Sequence, residues 1–546
     1  MLKEYQIENF KAFTGPVNIP IKPITLIFGA NSSGKSSIFQ SLLMLKQTLQ
    51  KGKDSNISLM PRGNIVDLGS FREFIHNHNV TRSFSFKMTF STPKEISQYS
   101  GIDWPFDDIH PNVKTLEKSI GSETIGLRVT FSLDSKSLNI VISKIEMFIG
   151  DDPTPIITYK IGEKNERGSN IYNFKGNFDH KYWHTYWKYF DEEDPEALEK
   201  TYVDLDSLIE KIKEMSDKEK KAFLNLLKEQ PKKDAQNNKE GNDKPKDEPK
   251  KSTGFKRALE IYKSLFVNDY LSLQGFLPDL LNSNDLQHLV WNMLEAEESR
   301  DVSLFAFTAG NLIKKSLNDL EYIAPLREYP ERFYIYGGNP LESVGSSGKM
   351  VFDVLFNNPE LLTRVNDELM RFGTDYELKL SQFSKGSAEI REVFVPELIK
   401  KSTGVAASFR DVGFGFSQVL PVIVQSISSK EKTLLIEQPE LHLHPSLQAE
   451  LGDLFIKSAL GESKNTFLIE THSEHLILRL LRRIRETTNG ELAEGDSPLR
   501  PEDVAVIYAK PTEKGTELVE LRITADGDFA DKWPDGFFAE RAKELF

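Results

Sequence analysis

The chain contains 546 residues, with 69 Lys and Arg against 82 Asp and Glu, a formal net charge of -13, and no cysteine. The length predicts two or more compact parts, and the acidic balance argues against a broad basic face for non-specific nucleic-acid binding. The lack of cysteine excludes disulfides, thiolate zinc sites and cysteine nucleophiles. No apolar signal core opens the chain and no run approaches the roughly 20 apolar residues of a membrane helix, so we expect a cytoplasmic protein without membrane contact.

Residues 1–80 contain short strand-like pieces followed by a strand, loop and helix unit. The buried strand is predicted over Ile24 to Phe28, and the helix begins at Lys35. Residues 81–195 include stretches in which apolar side chains alternate with a period of two. Such alternation is typical of antiparallel strands with one solvated face.

Residues 196–320 are rich in helix formers and charges, which predicts a helical insertion. Within it, segment 231–254 mixes both charge signs and has no aromatic residue, so we expect a disordered loop there. From 321 to 510, two apolar strands are separated by a helix predicted over Ser446 to Ala459, which is the pattern of a parallel sheet. Residues 511–546 are assigned to a short C-terminal domain.

The loop between the first strand and helix, "GANSSGKS", fits G-x-x-x-x-G-K-[ST] in the context that this phosphate-binding pattern requires. Its glycines let backbone N–H groups close around phosphate oxygens, and the helix N-terminus adds partial positive charge. We therefore expect ATP and Mg²⁺ as ligands, against the alternative of a chance glycine turn. The predicted nucleotide-binding residues here are Asn31, Ser33, Gly34, Lys35, Ser36 and Ser37, with Ser36 also on the metal.

An acid ends the apolar strand "TLLI" in the second half of the chain. Glu437 is at the position where P-loop ATPases have a carboxylate near Mg²⁺. It is therefore predicted to bind the metal together with Ser36. A structural acid that caps the next element is the alternative.

A second glycine-bearing stretch, "GFGFSQ", opens another apolar helix. Two glycines and a serine at a helix start form an anion-binding surface. Because one helix start already serves the phosphates, we expect a composite site in which one subunit's stretch caps the ATP of another; a glycine-capped core helix is the alternative. The residues assigned to this surface are Gly413, Gly415, Ser417 and Gln418.

The segment "ETHSEHL" ends a strand with a histidine, His472, at the edge where open α/β sheets bind ligands. Together with His442, His444 and His475, it also suggests a zinc site as an alternative. These histidines match no strong ligand spacing, so zinc is not favoured.

Taken in order, "GANSSGKS", "GFGFSQ", "LLIEQPE", "HLHP" and "ETHSEHL" resemble the ABC-type ATPase heads of the SMC and overcoming-lysogenization-defect (OLD) group. The resemblance implies that they are the Walker A motif, the signature, the Walker B motif, the D-loop and the switch histidine. The segments Val66 to Asn77, Tyr322 to Tyr334 and the closing run with "WPDGFF" resemble a bacterial subfamily of OLD-like ATPases. Its members are similar to ATPase subunits of anti-phage systems, such as the PtuA component of Septu and retron systems.

The fold that this resemblance implies is α/β, a P-loop NTPase head of the ABC type with an antiparallel β subdomain and a helical insertion. Residues 1–80 and 321–510 would be the two halves of the head. The family implies head-to-head pairing into a dimer or higher oligomer, with two nucleotides in the interface. It also implies a separate effector, a toxin or a nuclease such as an HNH enzyme, because no nuclease domain is expected in this chain.

Within the implied Walker B motif, Gln438 takes the place of the glutamate that polarises water. An amide orients water but cannot accept its proton, so a general-base contribution of roughly 10²–10⁴-fold would be missing and hydrolysis is expected to be slow. Glu440 is an alternative carboxylate. The predicted catalytic residues are thus Gln438, Glu440 and His472, the last on the γ-phosphate.

Two classes of function follow. The first is a nucleotide-gated sensor or regulatory ATPase of an anti-phage complex, in which binding of nucleic acid through the complex is left open. The second is an SMC-like repair or recombination ATPase that clamps nucleic acid, supported by the basic run "RLLRRIRE". A transporter ATPase subunit is a weaker third reading, because the signature departs from the transporter form.

Overall fold

A computed structural model describes residues 2–51, 58–91, 123–164, 170–176, 273–274, 277–278, 309–338, 341–356, 358–385, 388–413 and 415–534. The chain divides into two compact units, one containing residues 2–50, 60–88 and 313–546 and the other containing 51–59 and 89–312. Most of the predicted helical insertion and the whole of the predicted disordered loop, 231–254, lie outside the described residues.

The strands in chain order are β1 (Leu2–Glu8), β2 (Val17–Pro20), β3 (Ile24–Gly29), β4 (Phe84–Ser91), β5 (Thr124–Leu133), β6 (Ile140–Ile149), β7 (Ile157–Lys164), β8 (Asn170–Gly176), β9 (Leu273–Gln274), β10 (Leu277–Pro278), β11 (Leu320–Ile323), β12 (Tyr334–Ile335), β13 (Tyr376–Lys385), β14 (Ala388–Lys400), β15 (Ala406–Ser408), β16 (Thr433–Glu437), β17 (Thr466–Glu470), β18 (Val504–Thr512) and β19 (Gly515–Leu521). The helices are α1 (Lys35–Lys51), α2 (Phe71–Phe74), α3 (Val351–Phe356), α4 (Pro359–Arg371), α5 (Gly415–Ser428), α6 (Pro445–Leu460) and α7 (Glu474–Asn489). Residues 309–318 are also helical.

The larger unit is built around a six-stranded sheet with the order β11-β16-β17-β3-β18-β19. Its first five strands are parallel, and β19 is antiparallel to β18. All six residues of β3 are buried, as are all five of β17, because a parallel sheet is covered on both faces. The carboxyl ends of β16, β17 and β3 therefore meet at one edge, where ligands of open α/β sheets bind.

Helices α5, α6 and α7 supply apolar side chains to the core that contains this sheet, including Ile423, Leu451 and Leu480. Helix α6, observed over Pro445–Leu460, confirms the helix predicted between the two apolar strands. Helix α7 starts at the side chain of Ser473, which accepts the Leu476 N–H, and it ends at a left-handed glycine.

Antiparallel strands also occur, as the period-two alternation predicts. In the smaller unit, β5 pairs with β6, β6 with β7, and β7 with β8, each antiparallel. In the larger unit, β14 pairs antiparallel with β12, β13 and β15. The α/β fold with added antiparallel strands is thus confirmed. No helix in the described ranges is long and apolar enough to cross a membrane.

Candidate functional site

The phosphate-binding loop lies between β3 and α1, at the carboxyl edge of the six-stranded sheet. Gly29 has a φ of 149°, and a Cβ on it would lie 2.7 Å from the Ala509 carbonyl of β18, so only glycine lets the two backbones approach. Gly34 has a φ of 89°. Behind the loop, the Thr516 hydroxyl donates to the Ser33 carbonyl at 2.8 Å.

Lys35 and Ser36, the first two residues of α1, face an acid on the neighbouring strand. The Lys35 Nζ donates to the carbonyls of Gly29 and Ala30 at 3.1 and 2.8 Å and lies 3.9 Å from Glu470 Oε1. The Ser36 hydroxyl donates to Glu470 Oε2 at 2.7 Å. Burial lowers the pKa of Lys35, and the charge of Glu470 opposes that shift. The loop cation and the loop hydroxyl thus share one carboxylate.

Glu437, the acid predicted to bind the metal, lies next to the Glu470 carboxylate. Glu437 and Glu470 end adjacent parallel strands and are direct register partners. Glu437 Oε1 accepts the Tyr322 hydroxyl at 2.9 Å. Burial and, secondly, the charge of Glu470 raise the pKa of Glu437 to about 7. Two buried carboxylates next to each other disfavour double ionisation, which an incoming cation would reverse.

Gln438 follows directly and turns the chain away from the sheet. Its φ is 46°, in the left-handed region, and its N–H donates to the Glu470 carbonyl at 2.7 Å. The residue is half-buried and directly follows Glu437. The chain thus has an amide at the position for which the resemblance implies a water-activating glutamate.

Glu440 and His472 are brought together by hydrogen bonds. Glu440 Oε2 accepts the Thr471 hydroxyl at 2.9 Å, and its Oε1 accepts the His472 backbone N–H at 2.6 Å. Burial raises the pKa of Glu440. Burial, and then the charge of Lys35, lower the pKa of His472, which favours the neutral imidazole. The carboxylate thus holds the loop that carries the histidine.

The predicted signature residues lie at the start of α5. Gly413 is exposed, and a Cβ on it would meet no atom within 4 Å. A Cβ on Gly415 would lie 2.7 Å from the His442 carbonyl, so this glycine lets α5 approach the loop after the Walker B strand. Ser417 and Gln418 are each 2% exposed. The Gln418 amide donates to the Arg327 carbonyl at 3.2 Å.

The contacts gather the predicted residues into three groups. Lys35, Ser36 and Glu437 lie around Glu470. Glu440 binds the His472 backbone, and Gln418 contacts Arg327. Asn31 is exposed at the tip of the phosphate loop, and Ser33 and Ser37 are buried beneath it.

Sequence reasoning missed three residues of this site. The sequence marks Glu470 only as the end of a strand, yet it contacts both Lys35 and Ser36. Tyr322 and Arg327 lie in "YIAPLREYPERFY", which the sequence marks only by its resemblance to the family. A signal for Glu470 exists, since both "LLIE" and "FLIE" end in an acid. Tyr322 has no comparable signal.

The atoms around Ser36 suit Mg²⁺. The Ser36 hydroxyl and the carboxylates of Glu437 and Glu470 are all oxygen donors, which Mg²⁺ prefers. Across the described ranges, no group of three or more His, Cys, Asp or Glu side chains is arranged to hold a metal ion. Mg²⁺ commonly completes its coordination with substrate phosphates and water, so this site fits a cation that arrives with a nucleotide. His444 instead caps α6 by accepting the Ser446 N–H.

A family model described as the AAA ATPase domain matches residues 1–477. No curated protein matches the chain. Among solved structures, it is similar to an Smc head bound to the C-winged helix domain of ScpA, with a TM-score of 0.37, 10% identity, and 95% of this chain and 97% of that chain covered. It is also similar to an Smc head domain bound to the C-terminal domain of ScpA, derived from Pyrococcus furiosus, with a TM-score of 0.34, 12% identity, and 100% and 98% of the two chains covered.

Proposed function

Since the chain belongs to the AAA ATPase domain family, we propose that it is an ATP-binding, slowly hydrolysing ABC-type ATPase that acts as a nucleotide-gated sensor or regulatory subunit of an anti-phage complex. In this proposal it pairs with itself and controls a separate effector, a toxin or a nuclease such as an HNH enzyme. In this proposal the complex works in the cytoplasm, and binding of nucleic acid through the complex is left open.

The observation that carries the proposal is the amide of Gln438 next to the acids at the carboxyl edge of the sheet. Ser36 donates to Glu470 and Lys35 lies 3.9 Å from it. The Gln438 amide, in contrast, can orient water but cannot take its proton. Long-lived ATP and slow turnover suit a switch better than a motor. The defence role is supported by the motif resemblance, not by the geometry.

Each residue then has a role in hydrolysis. Lys35 binds the β- and γ-phosphates, and Glu470 orients Lys35 and Ser36. Ser36 and Glu437 are the residues that would hold Mg²⁺. Bound Mg²⁺ would supply charge neutralisation at the phosphates. Water oriented by Gln438 attacks the γ-phosphorus, the bond to the bridging oxygen breaks, and the proton of the water passes to a phosphate oxygen.

The loop after β17 would contact the same phosphate. His472, whose pKa is lowered by burial, donates one ring N–H to an oxygen of the γ-phosphate. Glu440 is still the alternative carboxylate predicted for this site. Its bonds to Thr471 and His472 favour a supporting role, in which it fixes the position of the histidine.

The composite site can be tested with two chains that complement each other. Lys35→Ala removes ATP binding but keeps the signature, and Gly413→Arg blocks the signature but keeps ATP binding. Because Gly413 is exposed and a Cβ on it meets no atom within 4 Å, the arginine should extend into solvent without disturbing the fold. Each variant alone should hydrolyse no ATP, and a mixture should recover turnover at one site per pair.

The matched control is Gly337→Arg, since Gly337 is also exposed with open space around its Cβ. This variant should hydrolyse ATP as the unmodified chain does. A Gly413→Arg chain that retains full turnover alone would reject the composite site.

The biological role requires a second experiment. The complex is purified from its own locus, and the bound nucleotide and co-purifying proteins are identified. Intact ATP and a nuclease-like partner, with phage protection lost on Lys35→Ala, are expected. An isolated protein with ADP and affinity for DNA would instead favour the clamp function.

A further inference from the structure

Arg327 links the end of β16 to the start of α5. It follows β11 and is 5% exposed. Its Nη2 donates to the carbonyls of Glu437 and Gln438 at 2.8 and 3.3 Å, and its Nη1 donates to the carbonyl of Gln418 at 3.3 Å. One guanidinium thus binds the end of the Walker B strand and the start of the signature helix.

The link is reciprocal and costly to break. The Gln418 amide donates back to the Arg327 carbonyl at 3.2 Å. The charge of Glu440 favours the protonated guanidinium, and burial lowers the pKa of Arg327 only to about 10, so it stays charged at neutral pH. The planar fork of arginine reaches several carbonyls at once, which a lysine ammonium cannot do with the same geometry.

We propose that Arg327 is a positioning residue that serves two nucleotide sites at once. It serves the ATP of its own chain by fixing the main chain of Glu437 and Gln438, and it serves the ATP of a partner by fixing the signature helix at Gln418. The second role rests on the composite site of the proposed function. Arg327 touches neither nucleotide.

The two roles predict which kinetic constant changes. The phosphate loop is held by Glu470 and Thr516, so loss of Arg327 should leave the affinity for ATP within about threefold. Turnover should fall, because the water-orienting amide and the signature both lose a fixed position. A general structural defect would weaken ATP binding as well.

The complementing pair separates the two roles. Arg327→Met is placed either in the Lys35→Ala chain, where only the signature is used, or in the Gly413→Arg chain, where only the ATP site is used. Either placement should lower the turnover of the mixed pair at least about fivefold, a typical size for coupling between sites. Arg332→Met, at an exposed arginine of the same segment, is the matched control and should leave turnover unchanged.

Arg327→Lys covers the case in which Arg327→Met fails to fold. The lysine keeps the positive charge near Glu440 but has fewer hydrogen-bond donors. Arg327→Lys should therefore lower the turnover of the mixed pair in either chain, by a smaller factor than Arg327→Met. A loss confined to the Gly413→Arg chain overturns the inference while the composite site stands. If the pair without any change at Arg327 fails to complement, the composite site itself is rejected, and the second role of Arg327 with it.

Discussion

At the scale of single residues, the proposed function predicts that Gln438 sets how long ATP stays bound before it is hydrolysed. Glutamate has the same length and meets the same backbone strain at a φ of 46°. Gln438→Glu therefore supplies a group that can accept a proton, and it also adds a negative charge next to Glu437. We expect turnover to rise about 100-fold, measured as phosphate release at saturating ATP.

The opposite change tests the same point. Gln438→Ala should lower an already slow rate only modestly, because no proton acceptor is lost. An unmodified protein that hydrolyses ATP at about 1–100 per second, and loses this activity on Gln438→Ala, would contradict the switch.

Glu437 predicts a pH dependence of stability in the protein free of nucleotide and metal. Its pKa is about 7 in the folded chain against 4.5 for an ordinary glutamate, so between these values the folded state holds a proton that the unfolded state releases. The protonated Glu437 therefore stabilises the folded state at pH 5, and this contribution is lost as the pH rises through 7. Glu437→Gln keeps an acceptor for the Tyr322 hydroxyl and removes the charge. It should be more stable than the unmodified chain by about 1–3 kcal/mol at pH 8, with a smaller difference at pH 5.

Thermal unfolding in EDTA at both pH values measures this effect. Glu502→Gln is the control, because Glu502 forms only an exposed pair with Arg500 at 3.9 Å. A difference between Glu437→Gln and the unmodified chain that does not change with pH would show that Glu437 is ionised in both states.

At the scale of elements, half-buried ion pairs join α6 to α7. Asp453 accepts two bonds from Arg483, at 2.7 and 2.8 Å, and another from Arg479. The Arg483 and Asp453 side chains are only 16% and 21% exposed. Asp453→Asn weakens these charge-assisted bonds, so we expect a loss of about 2 kcal/mol in the free energy of unfolding, measured by urea denaturation. The control Glu502→Gln should lower the free energy of unfolding by less than about 0.5 kcal/mol. An equal loss in both variants would show that Asp453 contributes no more to stability than an exposed acid.

Local elements of the site can be predicted from the sequence, because each depends on a few adjacent residues. The strand predicted over Ile24 to Phe28 is observed as Ile24–Gly29, and the helix predicted from Lys35 begins there. Contacts between elements were not predictable in the same way. Glu470 reaches Ser36 because β17 lies between β16 and β3, and that strand order is set by packing of the whole sheet.

The signature helix shows the same limit. Its start at Gly415 follows from the glycines, but the direction in which Ser417 and Gln418 point depends on how α5 packs. Both side chains are buried, and Gln418 contacts Arg327. Their contact with a partner's nucleotide stays a prediction that the complementing pair tests.

At the scale of the whole molecule, charge predicts weak binding to nucleic acid. The chain carries a net charge of -13, and the basic run on α7 is largely neutralised, since Arg482 and Arg483 pair with Glu486 and Arg479 pairs with Glu450. We expect duplex DNA to bind the isolated protein no more tightly than about 10⁻⁴ M at physiological salt. Fluorescence anisotropy over a range of salt concentrations measures this affinity. Tight binding with a steep salt slope would favour the clamp.

The hydrogen bond from Thr516 to Ser33 joins residues 483 positions apart. Strand β3 also lies between two strands, β17 and β18, that are both far downstream. At synthesis rates of about 5–20 residues per second, the first apolar strand leaves the ribosome about 25–100 seconds before its neighbours exist. A nascent or truncated chain therefore cannot assemble the phosphate loop. Nucleotide binding becomes a property of the finished chain alone, and interrupted translation products should be substrates for chaperones and proteases instead of ATP-loaded switches.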